Sequence, residues 1–211
     1  MKKSILSLLL VLMMILATAC SGGDSPVAKT DVVIGTGGTA GTYYVVAAAM
    51  ASAINNHSEK LNVIAQPTKG SVENLNLTNT GDIQMGFSNS DGVFFAANGT
   101  GMYEETGKQD ISGLMSLYMS AGQIATMKDS GIETYADLVG KKVCLGPPRT
   151  TIVEMSKAIL LSYGIDPEKD ITPYYLSFDE GLKKLTDGEI DASLFVSGGP
   201  TAAMINDTST G

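Results

Sequence analysis

The chain has 211 residues, of which 44% are hydrophobic and 17% are charged, and it carries a formal net charge of -8 at pH 7. This composition is typical of a folded globular protein and excludes an intrinsically disordered chain. Because nucleic-acid binding needs a basic surface, the acidic balance also excludes a nucleic-acid-binding function. The length suits one large domain or two small ones.

The N-terminus has the pattern of an export signal. Two lysines precede an apolar run over residues 5–16. Because a membrane-spanning helix needs about 20 apolar residues, this run has instead the length of a secretory signal peptide. The small residues 17–19 and Cys20 resemble a bacterial lipoprotein site, at which Cys20 is lipidated; ordinary signal-peptidase cleavage is the alternative. We therefore predict a signal peptide over residues 1–19 and a mature protein that is extracytoplasmic and lipid-anchored to the bacterial cell membrane.

Strands and helices alternate along the part of the chain that follows a flexible tether over residues 20–30. Short apolar runs predict the strands, and longer runs predict the helices between them. The predicted strands are Val32–Ile34, Leu61–Gln66 and Ile83–Phe87, and the predicted helices are Tyr43–Asn56, Ser71–Asn79, with Ser71 as the N-cap, and Val93–Asn98. This order is typical of an α/β fold with a largely parallel sheet.

A second alternating series follows a predicted crossing strand, or hinge, over residues 116–128. Capping patterns mark two of its helices, one that begins at Thr134 and one that begins at Ser177. The other predicted elements are a helix over Ile152–Tyr163 and strands over Val143–Leu145, Ile171–Leu176 and Ile190–Phe195. We therefore predict two lobes, lobe 1 over residues 31–115 and lobe 2 over residues 129–211.

Two phrases of the sequence repeat in the same order and at a similar spacing. GDIQMGFSNSD begins at Gly81 and GEIDASLFVSGG begins at Gly188, while small-residue loops begin at Gly35 and Gly146. The repeat predicts two lobes of similar architecture; the alternative is that parallel α/β units share this order in general. Because ligands bind beyond the carboxyl ends of strands in open α/β sheets, these loops predict a ligand cleft between the lobes.

The glycine-rich loop after the first strand raises a nucleotide-binding alternative. Residues 35–40 fit the dinucleotide fingerprint in its G-x-G-x-x-A form. That fingerprint needs an acidic residue at the end of the second strand, and Leu61–Gln66 ends without one. A phosphate loop fails as well, because no Gly-Lys-Ser/Thr follows. The loop is therefore assigned to general anion binding at a helix N-terminus, which supplies free N–H groups and partial positive charge.

Side chains at this helix start are candidates for contacts to an anion, and we expect a carboxylate. Gly38 and Gly41 allow a close backbone approach, while Thr39 and Thr42 supply hydroxyl donors. Tyr43 and Tyr44 begin the helix, and at least one of them can stack on or hydrogen-bond a ligand. The alternative is that Thr42 is an ordinary N-cap and that the tyrosines belong to the core.

Arg149 adds a full positive charge at the start of the matching helix in the second series. An arginine can grip a carboxylate through two parallel hydrogen bonds. Because a cation opposes the helix dipole at this end, helix stability does not explain its position. The alternative is that Arg149 is solvated or pairs with Glu154.

Enzymatic function has little support in the sequence. The one histidine, His57, lies in a polar segment. Neither a cluster with metal-ligand spacing nor a Ser–His–Asp constellation can be built around it. We therefore expect no catalysis, no metal and no cofactor, and we interpret Cys144 as a small buried hydrophobic residue.

The motifs together resemble the TAXI family, the extracytoplasmic substrate-binding proteins of TRAP transporters. The resemblance covers residues 31–211 and rests on the glycine-threonine loop with its two tyrosines, SNSDGVFFAANG from Ser88, DLVGKKVCLG, and FVSGGPTAAM from Phe195. It implies an α/β, two-lobed, type II periplasmic-binding-protein fold. It also implies capture of a small organic anion, such as glutamate or a related carboxylate, for delivery to a TRAP-type membrane permease.

The resemblance further implies a set of ligand-binding residues. They are Gly38, Thr39, Gly41, Thr42, Tyr43, Ser88, Ser90 and Asp91 in the first lobe and Ser197, Gly198, Gly199 and Pro200 in the second. The loop over residues 147–151 departs from the family's small-residue loop, and Arg149 and Thr150 in it are further candidates. The family continues beyond Gly211, so we expect a truncated or partial sequence with an incomplete second lobe. A binding protein of an ABC importer and an exported enzyme remain as alternatives.

Overall fold

A computed structural model describes residues 28–199 and residue 201, and it has an α/β fold with two β-sheets. The strands are β1 (Thr30–Gly35), β2 (Leu61–Gln66), β3 (Met85–Gly86), β4 (Ala121–Thr126), β5 (Lys142–Cys144), β6 (Thr172–Tyr174) and β7 (Ala192–Ser197). The helices are α1 (Thr42–His57), α2 (Ser71–Thr80), α3 (Ser90–Asn98), α4 (Thr151–Ser162) and α5 (Phe178–Thr186), with short 3-10 turns at Gly101–Tyr103 and Tyr135–Leu138.

The first sheet is parallel and has the strand order β2–β1–β3. We call residues 28–103, which contain it, the first half. Helix α1 packs on this sheet through Ala47 and Ala51, which share a buried cluster with Ile34 and Val63. The two alanines are four residues apart and therefore lie on one face of the helix. Their small side chains let the helix lie close to the strands.

A buried asparagine ties the three strand ends of the first half together. Asn74 in α2 is fully buried, and its Nδ2 donates to the carbonyl oxygens of Thr36 at 2.6 Å and of Phe87 at 2.8 Å. Its Oδ1 accepts a 2.7 Å hydrogen bond from the Thr68 hydroxyl. These three partners follow β1, β3 and β2. A Cβ at Gly35 would lie 2.5 Å from Asn74 Oδ1, so only glycine permits this approach.

The second sheet has the strand order β4–β7–β5–β6. We call residues 121–199, which contain it, the second half. Strand β5 is parallel to β6 and β7, while β4 is antiparallel to β7. All six residues of β7 are buried, because helices α4 and α5 both contact this central strand. Cys144 is buried and free, in agreement with its interpretation as a small hydrophobic residue.

The predicted crossing strand is only partly present. Strand β4 lies within the predicted range 116–128, but it pairs with β7 inside the second sheet. The apolar run Leu114–Met119 has no regular secondary structure, so the prediction of a strand there was wrong. A strand needs a hydrogen-bonded neighbour, and in the part of the chain that the structure describes this run has none.

Two further predictions about local structure need correction. The N-cap of α2 is Gly70, and Ser71 is the first helical residue, because the Ser71 hydroxyl instead accepts a hydrogen bond from the backbone N–H of Asn89. The segment after Thr134 is a 3-10 turn rather than a full helix, although its predicted capping box with Asp137 is present. The capping box of Ser177 and Glu180 at the start of α5 is confirmed.

Candidate ligand-binding site

A cleft of about 90 Å³ lies between the two halves, with room for several water molecules or part of a small ligand. It is lined by residues 37–38, 40–43, 69–71 and 89 of the first half and 147, 150–152, 177–179 and 196–197 of the second. These segments lie at the carboxyl ends of β1, β2, β3, β5, β6 and β7. The cleft therefore occupies the position at which open α/β sheets bind ligands.

Four helices begin at the wall of this cleft. They start at Thr42, Ser71, Thr151 and Phe178, and all four residues line the cleft. The N-cap residues of the first three helices make no side-chain cap hydrogen bond, whereas the fourth is capped by Ser177. Helices α1, α2 and α4 therefore offer backbone N–H groups and the positive ends of their dipoles to the cleft.

A hydrogen-bonded group of side chains forms one wall. The Tyr43 hydroxyl donates to Asn89 Oδ1 at 2.6 Å and lies 3.4 Å from the Ser71 hydroxyl oxygen. Burial raises the pKa of Tyr43 to about 12, with a smaller opposing effect from the Ser71 hydrogen bond. The tyrosine therefore stays neutral at physiological pH and acts as a donor. The ring of Tyr43 also packs on Phe87, with 5.3 Å between the ring centroids.

Asn89 extends this group into the second half. Its Oδ1 also accepts from the Ser120 hydroxyl at 3.3 Å, and its Nδ2 donates to Thr151 Oγ1 at 3.3 Å. The Nδ2 atom lies 3.9 Å from Met155 Sδ as well. Ser88 and Ser90 were the predicted ligand contacts in this segment, and Asn89 between them was not predicted. Only the folded chain shows that Asn89 is the residue of this segment that lines the cleft.

The predicted site residues fall into three groups. Those that line the cleft are Gly38, Gly41, Thr42, Tyr43, Thr150 and Ser197. Those that the structure places outside the lining are Thr39, Ser88, Ser90, Asp91, Arg149, Gly198 and Gly199. Pro200 and Cys20 lie outside the described residues. The predicted loops therefore contribute to the cleft lining, although several of the predicted residues within them lie outside it.

The excluded residues have local reasons for their positions. Asp91 lies in the first turn of α3, where its Oδ1 accepts the Gly92 N–H at 2.8 Å. Arg149 is exposed. Its backbone φ of 62° lies in the left-handed region, which is unusual for a residue other than glycine. Within the described part of the chain Arg149 makes no ion pair, so the alternative in which it pairs with Glu154 is not realised.

Two of the lining hydroxyls already donate to protein carbonyl groups. The Thr42 hydroxyl donates to the carbonyl oxygen of Gly198 at 2.9 Å, which joins the two halves at a second point. The Thr150 hydroxyl donates to the carbonyl oxygen of Pro147 at 2.7 Å and holds the loop before α4. Both residues shape the cleft, and their hydroxyl protons are engaged within the protein.

Lys69 and Asp179 are the charged side chains in the cleft lining of the described chain. Lys69 follows β2 and precedes α2, and Asp179 lies in the first turn of α5. Lys69 was not among the predicted site residues, because the end of β2 was considered only as the place for the acidic residue of a dinucleotide fingerprint. The position of Lys69 between a predicted strand and a predicted helix was the sequence feature that could have identified it as a cleft residue.

The described residues show neither a metal centre nor a membrane helix. Among residues 28–199 and 201, three or more His, Cys, Asp or Glu side chains nowhere form a group suited to a metal ion. Over the same residues, every helix is too short or too polar to span a membrane.

Solved structures with the same fold are substrate-binding proteins. The alkanesulfonate-binding protein SsuA from Xanthomonas axonopodis pv. citri, bound to MOPS, matches with a TM-score of 0.55 and 20% identity over 80% of this chain and 55% of its own. The aliphatic sulphonate-binding protein SsuA from Escherichia coli matches with a TM-score of 0.54 and 19% identity over 87% of this chain and 58% of its own. ArgBP from T. maritima, in its holo form, matches with a TM-score of 0.53 and 16% identity over 85% of this chain and 73% of its own.

These matches establish the α/β fold of type II periplasmic solute-binding proteins, and the chain spans little more than half the length of the two sulfonate-binding proteins. The family follows from a separate comparison of sequences. The NMT1-like family matches residues 34–210, a range that begins in β1 and includes every segment that lines the cleft. Because the match covers most of its length, the chain belongs to the NMT1-like family.

Proposed function

We propose that this chain is an extracytoplasmic substrate-binding protein that captures a small organic anion, such as glutamate or a related carboxylate, for uptake. The observation that carries the proposal is the convergence of three uncapped helix N-termini and Lys69 on one cleft. Backbone N–H groups at helix starts bind carboxylates well, because they combine free donors with the positive end of the dipole.

The charges of the cleft favour an amino acid within this class. Lys69 and the starts of α1, α2 and α4 contribute positive charge to one part of the wall. Glu73, whose Oε2 accepts the Lys69 N–H at 2.6 Å, and Glu154 in the first turn of α4 offset part of this charge. Asp179 lies at the start of α5, where a carboxylate offsets the dipole of its own helix. A ligand with both a carboxylate and an ammonium group would place the first near Lys69 and the second near Asp179.

Binding fits the site better than catalysis does. Most of the surface that faces the cleft is apolar, and its polar side chains are hydroxyls, the Asn89 amide, Lys69 and Asp179. His57 is the last residue of the 16-residue helix α1, whose first residue lines the cleft. At about 1.5 Å of rise per residue, the histidine lies roughly 22 Å away along the helix and is too distant to act as an acid or base there.

Thermal unfolding of the full chain tests the proposal. L-Glutamate at about 100 times its dissociation constant should stabilise the protein by roughly 2.7 kcal/mol, while a neutral amide of similar size should not. 2-Oxoglutarate and an alkanesulfonate test whether the ammonium group matters. A cooperative transition that none of these anions raises would contradict the proposal.

Lys69→Met is expected to weaken anion binding about tenfold, since a charge-assisted hydrogen bond contributes on the order of 1.5 kcal/mol. Lys60→Met is the matched control, because Lys60 is exposed and does not line the cleft. Titration calorimetry of both variants compares the two dissociation constants. Equal affinities would remove Lys69 from the site.

We further propose that ligand capture works by a shift between open and closed arrangements of two lobes. A ligand that contacts both lobes only in the closed arrangement favours that arrangement by its differential affinity. The cleft supports this mechanism, because both halves contribute lining residues. Closure would present a joined surface to a membrane partner.

The resemblance to the TAXI family supports a TRAP-type permease as that partner, with Cys20 as the lipid anchor. The fold alone favours no transporter class, since a structurally similar chain was solved in work on glutathione import through a cystine ABC importer. An ABC importer is therefore the second candidate partner.

Uptake in proteoliposomes distinguishes the two partners. With a TRAP-type permease, addition of the binding protein should give uptake that an ion gradient drives and that ATP does not affect. Collapse of the gradient by an ionophore should then abolish uptake. Uptake that requires ATP and survives the ionophore would assign the chain to an ABC importer.

A further inference from the structure

We infer that Asn89 is a latch that holds the two halves together across the cleft and that favours the closed arrangement even without ligand. The inference rests on the proposed open–closed mechanism and adds a device that regulates it. Its basis is one carboxamide that hydrogen-bonds to side chains on both sides of the cleft.

The carboxamide of Asn89 uses its full hydrogen-bonding capacity. Oδ1 accepts from Tyr43 at 2.6 Å and from Ser120 at 3.3 Å, which occupies both lone pairs. Nδ2 donates to Thr151 Oγ1 at 3.3 Å and lies 3.9 Å from Met155 Sδ. Thus Tyr43 of the first half fixes the amide oxygen, and the Nδ2 group bonds to helix α4 of the second half.

The backbone around the latch brings the halves into contact. A Cβ at Gly92 would lie 3.3 Å from Thr151 Cγ2, so the start of α3 packs directly on the start of α4. The Thr151 side chain is buried in this arrangement. Separation of the halves therefore has to break the Asn89–Thr151 hydrogen bond and expose both groups.

The position of the latch couples it to the ligand. Tyr43, Asn89 and Thr151 all line the cleft, so a ligand that hydrogen-bonds to any of them touches the latch itself. A ligand that keeps the Asn89–Thr151 bond adds to its effect and favours closure further. One that competes for Thr151 Oγ1 opposes closure, and the latch therefore selects among ligands that fit the cleft.

The test measures the distance between the halves without any ligand. Nitroxide labels are attached at two exposed positions, Ser52→Cys in α1 and Ala158→Cys in α4. The full chain also carries Cys20→Ser, and Cys144 stays unlabelled because it is buried. Asn89→Ala should shift the ratio of short to long distances about fivefold toward long, the change expected for one net hydrogen bond of about 1 kcal/mol. Asn56→Ala, on an exposed surface of α1, should leave the ratio unchanged.

Thr151→Val provides a second variant that keeps the side-chain shape and removes the acceptor. It should produce the same shift, and the double variant should shift the ratio no further than either single one. Distances in Asn89→Ala and Thr151→Val that both match Asn56→Ala would overturn the inference. Because no ligand is present, this result is independent of the thermal-shift test, and either the latch or the anion proposal can fail alone.

Discussion

Asn74→Ala is expected to lower the free energy of unfolding by about 3 kcal/mol, because three hydrogen bonds are lost at once and each contributes about 1 kcal/mol. The lost bonds are those to the carbonyl groups of Thr36 and Phe87 and from the Thr68 hydroxyl. Asn74 is fully buried, so water cannot replace its amide without a structural change. The three strand ends of the first half would then lose their common support beneath the cleft.

Urea unfolding followed by circular dichroism measures this change. Asn76→Ala is the matched control on the same helix, and its exposed side chain should change stability by less than about 0.5 kcal/mol. Asn74→Asp keeps the size of the side chain but turns an oxygen toward the two carbonyl groups. The pKa of that carboxyl in the folded protein should therefore rise above its value of about 3.9 in the unfolded chain. The variant should then lose stability as the pH rises from about 3.9 through the pKa of the folded protein. An Asn74→Ala variant as stable as Asn76→Ala would contradict the assigned role.

The order of elements was predictable from local patterns. Apolar runs that end in glycine marked β1 and β5, and the Ser177 and Glu180 pattern marked the start of α5. Since parallel strands place their carboxyl ends at one edge of a sheet, the location of the cleft followed from the same patterns. This part of the prediction depends on neighbouring residues only, which is why a single sequence suffices for it.

The side chains that face the cleft depended on contacts that the sequence does not display. Asn89 turns inward because Tyr43, 46 residues earlier, donates to its Oδ1 and Thr151, 62 residues later, accepts from its Nδ2. Lys69 lines the cleft because it lies two residues before the start of α2, which is at the cleft wall. The prediction of a strand over Leu114–Met119 was wrong because it also depended on distant contacts. The composition of this run suits a strand, but a strand forms only beside a hydrogen-bonded partner.

Phe195→Ala is expected to lower the free energy of unfolding by about 4 kcal/mol, the middle of the range for loss of a buried aromatic side chain. Phe195 is fully buried in the central strand β7 and packs with Leu182, Leu185 and Ile190. Its ring lies 4.9 Å, between centroids, from that of Phe178, which lines the cleft. The resulting cavity would therefore lie directly behind the cleft wall.

Two companion variants show whether the loss of stability comes from lost packing in the core or from the removal of any aromatic ring. Phe94→Ala removes a ring that is 61% exposed and should change the urea midpoint very little. Phe195→Leu keeps most of the volume and should cost less than about 1.5 kcal/mol. If Phe195→Leu remains stable but binds the anion more weakly than the parent chain, the Phe178 ring needs its aromatic neighbour to shape the cleft. A Phe195→Ala variant with the stability of Phe94→Ala would show that the core around β7 does not depend on this ring.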